Sequence, residues 1–267
     1  MLLANKNAVI YGAGGSLGSS IAKALAKEGA TVYATGIHID KIEKLVSDIK
    51  ANNGKAYAAQ VDALDKARVE EHLQTINVGI DISFNTIGWK DVQGTLLTEI
   101  SVDDFMSPIT NALKTNFITA TAAAKKMMDH RKGVILTLTA TPGGIGYANV
   151  GGFGPACNAL ESLVRDLGSE MGPWGIRVVN IRSAGSPDSE VFKAAVRENP
   201  EIMKGLLKKM ANDTMLKQLP LMEDIAQTAV FLLSDMASKI TGCTIDVTAG
   251  TTQALNYMVT PIAFVNR

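Results

Sequence analysis

The chain has few cysteines, no surplus charge and no long apolar run, and each shortage excludes a class of protein. Its 267 residues include two cysteines, Cys157 and Cys243, so neither a disulfide framework nor a cysteine-based zinc site is expected. Lysine plus arginine and aspartate plus glutamate both number 26, which leaves no electrostatic footprint for nucleic acid or an anionic membrane. No apolar stretch reaches the ~18 residues of a membrane span, and the apolar start is too short for a signal peptide. We therefore expect a cytoplasmic protein without a metal site, a nucleic-acid partner or a membrane partner.

What the chain does have is a regular alternation of strand and helix signals. Short apolar runs typical of buried strands, such as Ala8 to Tyr11 and Val134 to Thr139, alternate with amphipathic segments such as Asp40 to Asn52. Strands that alternate with helices form parallel βαβ units. The sequence therefore predicts one α/β domain of the Rossmann type over residues 1–267, with a doubly wound parallel sheet of about seven strands and helices on both faces.

Two segments stand outside this alternation. Residues 183–220 are rich in glutamate, lysine and methionine, and we interpret them as a mobile helical flap rather than a second domain. Residues 251–267 form a C-terminal extension whose end is apolar for an exposed terminus. We predict that this extension packs against a neighbouring subunit.

A glycine-rich turn follows the first strand, and helical composition resumes from Ser19 to Lys27. Glycines allow a tight turn and a close approach of the backbone to a pyrophosphate, and the following helix presents free N–H groups and a partial positive charge to it. This context predicts a dinucleotide site. The residues of the turn expected to contact the dinucleotide are Gly12, Gly14, Gly15, Ser16, Leu17 and Gly18.

Several motifs, in the right order, resemble those of the short-chain dehydrogenase/reductase superfamily. The turn is similar to that family's T-G-x-x-x-G-I/L-G, with Tyr11 at the threonine and Ser16 at the middle glycine. Later segments resemble the family's N-N-A-G, I-R-V-N and I/V-T-G motifs, and they lie at 85–88, 176–180 and 240–242. The resemblance covers nearly the whole chain and implies an NAD(P)(H)-binding Rossmann fold. The resemblance also implies further cofactor-binding residues beyond the turn, namely Asp62, Ala63, Asn85, Gly88 and Gly185.

The end of the second strand bears on the choice of dinucleotide. An acidic residue there would bind the ribose hydroxyls of NAD and repel a 2′-phosphate, but the sequence has Gly36, Ile37 and His38 instead. His38 and Lys41 are the available phosphate partners, which favours NADP(H) slightly over NAD(H). A solvated loop histidine is the alternative interpretation of His38.

The resemblance also implies a catalytic set that this chain lacks. Reductases of the family use a tyrosine as the acid, a lysine four residues later, a serine thirteen residues before the tyrosine and an asparagine on an earlier helix. Here the serine, tyrosine and lysine positions hold Ala140, Phe153 and Cys157. The asparagine position falls near Ala112, next to Asn111. The catalytic residues therefore remain unassigned.

Two residues near the vacant positions are weak substitutes. Tyr147 is a loop aromatic that either packs on the substrate side or donates a proton, and Thr139 flanks the vacant serine position. Cys157 is either a reactive thiolate or a small buried apolar residue, and the second interpretation suits it better.

Two hypotheses about function follow. The first is an NAD(P)(H)-dependent oxidoreductase with a non-standard active site, which acts on a small, apolar carbonyl or hydroxyl compound. The second is a catalytically inactive NAD(P)-binding homologue with a regulatory or binding role. In both, the resemblance implies a homo-oligomer, either a tetramer or a dimer.

Overall fold

The computed structural model of the chain describes residues 1–253, in which seven strands alternate with eight α-helices. The strands are β1 (Asn7–Tyr11), β2 (Thr31–Gly36), β3 (Lys55–Gln60), β4 (Ile82–Asn85), β5 (Gly133–Ala140), β6 (Ile176–Ser183) and β7 (Cys243–Val247). The helices are α1 (Ser16–Lys27), α2 (Ile39–Ala51), α3 (Lys66–Thr75), α4 (Val102–Met128), α5 (Phe153–Met171), α6 (Glu190–Glu198), α7 (Pro200–Asp213) and α8 (Met222–Leu233).

The strands form one parallel sheet in the order β3-β2-β1-β4-β5-β6-β7. The chain builds outward from β1 to β3, then returns to the middle and builds β4 to β7 in the other direction. This confirms the predicted doubly wound sheet. In such a sheet the order reverses between β1 and β4, and ligands bind beyond the carboxyl ends of the strands at that point.

Helices cover both faces of the sheet, which explains why its central strands are apolar throughout. In β1, Ala8 and Ile10 pack into the layer that contains α1, α2 and α8, while Val9 and Tyr11 pack into the layer that contains α3, α4 and α5. All four side chains are fully buried. Burial of an aliphatic side chain of this kind stabilises the fold by roughly 1.5–3 kcal/mol.

The helix after the glycine-rich turn begins earlier than the sequence pattern predicts. We expected a turn up to Gly18 and a helix from Ser19, but α1 begins at Ser16. Gly15 is the N-cap with an extended backbone, and its carbonyl oxygen accepts the first helical hydrogen bond, from the Ser19 N–H at 2.8 Å. Ser16, Leu17 and Gly18 therefore form the first helical turn, where backbone N–H groups lack helical partners.

The longest helix, α4, is not among the elements that the sequence pattern predicts. Its 27 residues include an internal proline, Pro108, and several threonines, which have low helix propensity. Three of these hydroxyls bond back within the helix: Thr115 to the Asn111 carbonyl and Thr119 to the Thr115 carbonyl, both at 2.8 Å, and Thr121 to the Phe117 carbonyl at 2.6 Å. A start signal was nevertheless present, because the Ser101 side chain caps the helix by accepting from the Asp104 N–H.

The segment interpreted as a flap contains α6 and α7 and follows β6 in the chain. Most of the C-terminal extension, residues 254–267, lies outside the described residues, and so does the predicted contact with a neighbouring subunit. Among the helices of residues 1–253, none combines the length and apolar character that crossing a bilayer requires. Within the same part of the chain, no group of three or more His, Cys, Asp or Glu side chains is arranged to hold a metal ion.

The start of α5 yields a prediction about stability. A Cβ atom added at Gly152 would overlap the Phe105 carbonyl oxygen in the first turn of α4. We expect Gly152→Ala to lower the free energy of unfolding by about 1–3 kcal/mol, measured by urea denaturation, because backbone atoms must move to admit the methyl group. The matched control is Gly146→Ala in the same loop, where the added Cβ meets nothing within 4 Å. Equal stability of the two variants would contradict this account of the packing.

Candidate functional site

A cavity of about 520 Å³ opens at the carboxyl ends of β1 to β4, where the strand order reverses. Its size falls within the range of small-molecule sites. Three groups of residues form its wall: the turn after β1, the segments after β2 and β3, and the segment after β4 together with one face of α4. The lining residues are Gly12, Gly14, Gly15, Gly36, Ile37, His38, Lys41, Ile42, Val61, Asp62, Ala63, Leu64, Thr86, Ile87, Gly88, Lys90, Asn111 and Thr115.

The turn after β1 requires glycine at its two ends, because neighbouring atoms leave no room for a Cβ atom there. Gly12 has a φ of +76°, and a Cβ atom there would lie 3.0 Å from the Ile87 nitrogen. A Cβ at Gly18 would lie 2.5 Å from the Gly12 carbonyl oxygen and 2.7 Å from Thr86 Oγ1. These approaches press the first turn of α1 against the segment after β4. Gly15 differs, because a Cβ there would lie 3.5 Å from its nearest neighbour, and its exposed surface faces the cavity.

The amino end of α1 is suited to an anionic ligand. The N-cap is Gly15, and the first turn carries no acidic side chain. Its unpaired N–H groups and the helix dipole favour negative charge at this point. The Ser16 hydroxyl accepts a hydrogen bond from the Glu190 N–H at 3.1 Å, which ties the flap helix α6 to this turn. Ser16 itself is not among the residues that line the cavity.

The residues predicted to select the dinucleotide lie together at one end of the cavity. His38 is the N-cap of α2 without a side-chain capping bond, and Lys41 follows in the first turn. Both are exposed and line the cavity with Gly36, which packs against Ile42. A cation at each of these positions would face the same part of a bound ligand.

The segments after β3 and β4 supply the opposite wall. One carboxylate oxygen of Asp62 accepts from the Leu64 N–H at 2.9 Å, while Ala63 is buried beneath. Asn85 is not part of the wall, because its amide group donates to Thr119 Oγ1 and accepts from the Ile87 N–H. These hydrogen bonds of Asn85 fix the backbone after β4, which places Gly88 at the cavity.

Not every predicted cofactor residue lines the cavity. Leu17 packs against the core, and Gly18 supports the turn from behind. Gly185 lies beyond β6 under the flap, where an added Cβ would meet the Phe192 ring at 2.7 Å and the Met210 methyl group at 3.1 Å. The structure therefore gathers the residues of β1 to β4 around one cavity and places Gly185 beneath α6 and α7.

The three positions that the resemblance aligns with the family's catalytic serine, tyrosine and lysine lie close together. Ala140 ends β5, Phe153 begins α5, and Cys157 follows one helical turn later on the buried face. The Phe153 ring packs on the Trp89 ring, with centroids 5.3 Å apart. The aromatic ring at the tyrosine position therefore contacts an apolar partner. Near the asparagine position, Ala112 is buried while Asn111 faces the cavity.

Cys157 is a buried thiol rather than a thiolate. The residue is 0% exposed, and this burial is the main reason why its pKa rises to about 11. The nearby Glu161 carboxylate raises the pKa further, whereas a hydrogen bond with the Ala140 backbone and the charge of Arg182 lower it. At neutral pH this position therefore carries no charge.

Beside Cys157 lies a partly buried ionic cluster that sequence reasoning missed. Arg182 on β6 forms ion pairs with Glu161 on α5 and with Asp246 on β7, and their side chains are 13%, 7% and 30% exposed. Glu161 also accepts from the Thr139 hydroxyl at 2.9 Å, and Arg182 donates to the Gly143 carbonyl at 3.3 Å. Burial lowers the pKa of Arg182, but the bonds to Glu161 and Asp246 outweigh it and raise the pKa overall.

This cluster explains the surroundings of two predicted residues. Thr139 points into it and also accepts from the Asn180 amide at 2.7 Å, so its hydroxyl is committed to the protein interior. Tyr147 lies in the loop that the Arg182–Gly143 bond anchors, and its side chain is 44% exposed. The register could have revealed the cluster, because Thr139, Arg182 and Asp246 stand side by side on β5, β6 and β7.

Comparisons with known proteins agree with this geometry. Residues 12–252 match the family model described as enoyl-(acyl carrier protein) reductase. The chain is 30% identical over 253 residues to a 2,3-dihydro-2,3-dihydroxybenzoate dehydrogenase of Bacillus subtilis (strain 168), covering 92% of this chain and 96% of the relative. It is also 30% identical over 248 residues to a 3-oxoacyl-(acyl-carrier-protein) reductase of Rickettsia bellii (strain RML369-C), covering 93% and 97%.

A solved structure shares the fold. The NAD+-bound structure of a xylitol dehydrogenase superposes with a TM-score of 0.87 at 20% sequence identity. The match covers 94% of this chain and all of the other. The same seven-stranded architecture is therefore found in a protein of distant sequence.

The state of Cys157 can be tested by alkylation. Because its pKa lies near 11 and the residue is buried, we expect iodoacetamide to leave Cys157 unmodified in the native protein at pH 8 and to modify it after denaturation. Peptide mass spectrometry measures both states, with the half-buried Cys243 as the internal comparison. Modification of native Cys157 at this pH would show an accessible thiolate instead.

The ionic cluster predicts a large loss of stability. Arg182→Met leaves the Glu161 carboxylate buried beside apolar atoms, and we expect unfolding to become easier by about 3–5 kcal/mol in urea denaturation. The double variant Arg182→Met with Glu161→Gln should recover part of that loss, since the unpaired charge is gone. The control is Arg197→Met, which breaks an exposed ion pair and should change little. Equal effects of Arg182→Met and Arg197→Met would disprove this role of the cluster.

Proposed function

The chain belongs to the short-chain dehydrogenase/reductase family, and we propose that it transfers hydride between NAD(P)(H) and a small, apolar carbonyl or hydroxyl compound. The observation that carries the proposal is the cavity at the strand-order reversal, with the glycine turn and the amino end of α1 at its centre. Glycines at Gly12 and Gly15 admit a pyrophosphate, and the dipole of α1 stabilises its charge.

The residues at the end of β2 support NADP(H) slightly over NAD(H). The position after Gly36 carries no acid that would repel a 2′-phosphate. His38 and Lys41 line the same end of the cavity, and both are exposed. Lys41 can offer an ammonium group to the phosphate, and the imidazole of His38 lies beside it in the same part of the wall.

The proposed active site is non-standard, because the usual proton donor is absent. Phe153 has no acidic hydrogen, and the Cys157 thiol is neutral and buried. Thr139 is engaged by Glu161 and Asn180, so it is a poor substitute for the missing serine. Tyr147 is the exposed phenol in the loop that follows β5, and we assign to it the proton transfer that hydride chemistry requires.

The surroundings of these positions favour an apolar substrate. Trp89 and Phe153 form one aromatic pair, and Met210 covers Gly185 from the flap. The names of the two relatives refer to a dihydroxy compound and to an oxoacyl compound, which are hydroxyl and carbonyl chemistry respectively. A compact substrate with one such group and little charge is consistent with both observations.

The alternative function is dinucleotide binding without reductase activity. It is favoured by one observation, the replacement of the usual tyrosine and lysine by Phe153 and by the buried, neutral Cys157. A protein of this kind would bind a dinucleotide in the cavity without turning over a substrate. Its binding to other proteins would depend on which dinucleotide is bound. In either case we propose a cytoplasmic homo-oligomer, a tetramer or a dimer, as is common in the family.

One experiment separates the two functions. NADPH and NADH are titrated by fluorescence, and a panel of cyclic, aromatic and aliphatic ketones and alcohols is then screened for turnover. We expect micromolar binding, tighter for NADPH than for NADH, and turnover of at least one apolar compound. Tight binding without turnover favours the binding function, whereas failure to bind either dinucleotide contradicts both functions.

Variants assign the proton donor in the same assay. If Tyr147 donates the proton, Tyr147→Phe lowers kcat by about 10²-fold or more and leaves dinucleotide affinity unchanged. The control is Tyr57→Phe on β3, which is exposed and remote from the vacant positions. If Phe153→Tyr raises kcat while Tyr147→Phe does not lower it, the assignment to Tyr147 is wrong.

A further inference from the structure

We propose that Lys90 takes over the ribose-binding part of the role that a lysine at position 157 has in the family's reductases. Its ammonium group would donate hydrogen bonds to the hydroxyls of the ribose on the nicotinamide side of the dinucleotide. The proposal rests on the function proposed above, and it names a residue that no family motif assigns.

Cys157 cannot replace the family's lysine in chemical terms. Cys157 lies under the β5–α5 loop, where the Gly143 backbone approaches it so closely that a Cβ at Gly143 would sit 3.0 Å from the cysteine Cβ. A thiol of this kind offers no cation and no strong donor to a ribose. The nearest guanidinium, that of Arg182, is held by two carboxylates and a backbone carbonyl. Any cation for the second ribose must therefore come from another element.

Lys90 is the cation at the β4 end of the cavity. The sheet order places the segments after β3 and β2, with His38 and Lys41, at one end, and the segment after β4, with Lys90 and Asn111, at the other. A dinucleotide with its pyrophosphate at the turn after β1 extends in both directions along the carboxyl edge. Its adenosine end lies toward β2 and β3, and the second ribose lies toward β4 and β5, on the side of Lys90.

The residue before Lys90 ties this segment to α5. Trp89 packs on Phe153, so the main chain at position 90 is held next to the amino end of α5, where the missing catalytic residues would stand. The same loop is fixed further along, because the Gly94 N–H donates to the Asn149 carbonyl at 2.8 Å. Lys90 thus lies between the dinucleotide cavity and the vacant positions.

The backbone of Lys90 is anchored and its side chain is available. The Ser107 hydroxyl donates to the Lys90 carbonyl at 3.1 Å, and Asn111 in turn lies one helical turn beyond Ser107. The neighbouring Asp91 carboxylate accepts from the Gln93 amide at 2.6 Å. In the described part of the chain, no ion pair involves Lys90. A long, flexible side chain with three donors can reach a ribose diol from such an anchor.

The test compares two fragments that differ by one ribose. ADP-ribose carries the second ribose and ADP does not, so their affinities isolate that group. In isothermal titration calorimetry we expect Lys90→Met to weaken ADP-ribose and NADH binding about tenfold and to leave ADP within about twofold, because a hydrogen bond to a charged donor is lost only in the first two. Lys90→Arg, which keeps the charge and the donors, should restore most of the difference.

Each other outcome overturns the proposal or identifies a different fault. If Lys90→Met weakens ADP binding as much as ADP-ribose binding, Lys90 contacts the pyrophosphate or the adenosine instead. If its affinity for all three ligands is unchanged, Lys90 does not contact the dinucleotide. Lys114→Met is the matched control, since Lys114 is exposed on α4 and does not line the cavity. If the wild type binds none of these ligands, the proposed function itself has failed, and that result is seen before any variant is made.

Discussion

The close approach of the β1–α1 turn to the segment after β4 is the constraint on which the rest of the site depends. The Gly12 carbonyl, the Thr86 hydroxyl and the place where a Gly18 Cβ would stand compete for the same space. Thr86 also donates to the Tyr11 carbonyl at 2.8 Å, which fixes the two strand ends to each other. The N-cap of α1, Gly15, therefore stands at the cavity, and the walls from β2, β3 and β4 are arranged around that point.

If the proposed function is correct, dinucleotide binding and proton transfer depend on different halves of this molecule. The cavity is built by β1 to β4, whereas the positions of the usual proton donor lie on β5 and α5. Substitutions in the second half therefore need not disturb the first. On that side lie the partly buried aromatic pair of Trp89 and Phe153 and the ionic cluster of Arg182.

The sequence was sufficient for the fold because the apolar strands, the glycine turn and the alternation of elements all favour the same architecture. The sequence was less informative for α4, because its threonines and Pro108 lower the helix propensity. Packing against the sheet stabilises this helix. At the site, the glycines of the turn could be predicted from local backbone demands. The Arg182–Glu161–Asp246 cluster could not be predicted without the strand register and the placement of α5, because its members are far apart in sequence.

The hydrogen bond from the Glu190 N–H to the Ser16 hydroxyl joins residues 174 positions apart. During synthesis the strand and turn at the start of the chain leave the ribosome long before α6 exists. The Ser16 hydroxyl at the amino end of α1 therefore stays in contact with solvent until most of the polypeptide has emerged. Closure of such a long loop is entropically costly and slow, so the flap is expected to join the nascent domain among its last elements. If the chain binds a dinucleotide as proposed, the ligand can reach the turn in that interval and stabilise the early half of the sheet before the late half has assembled.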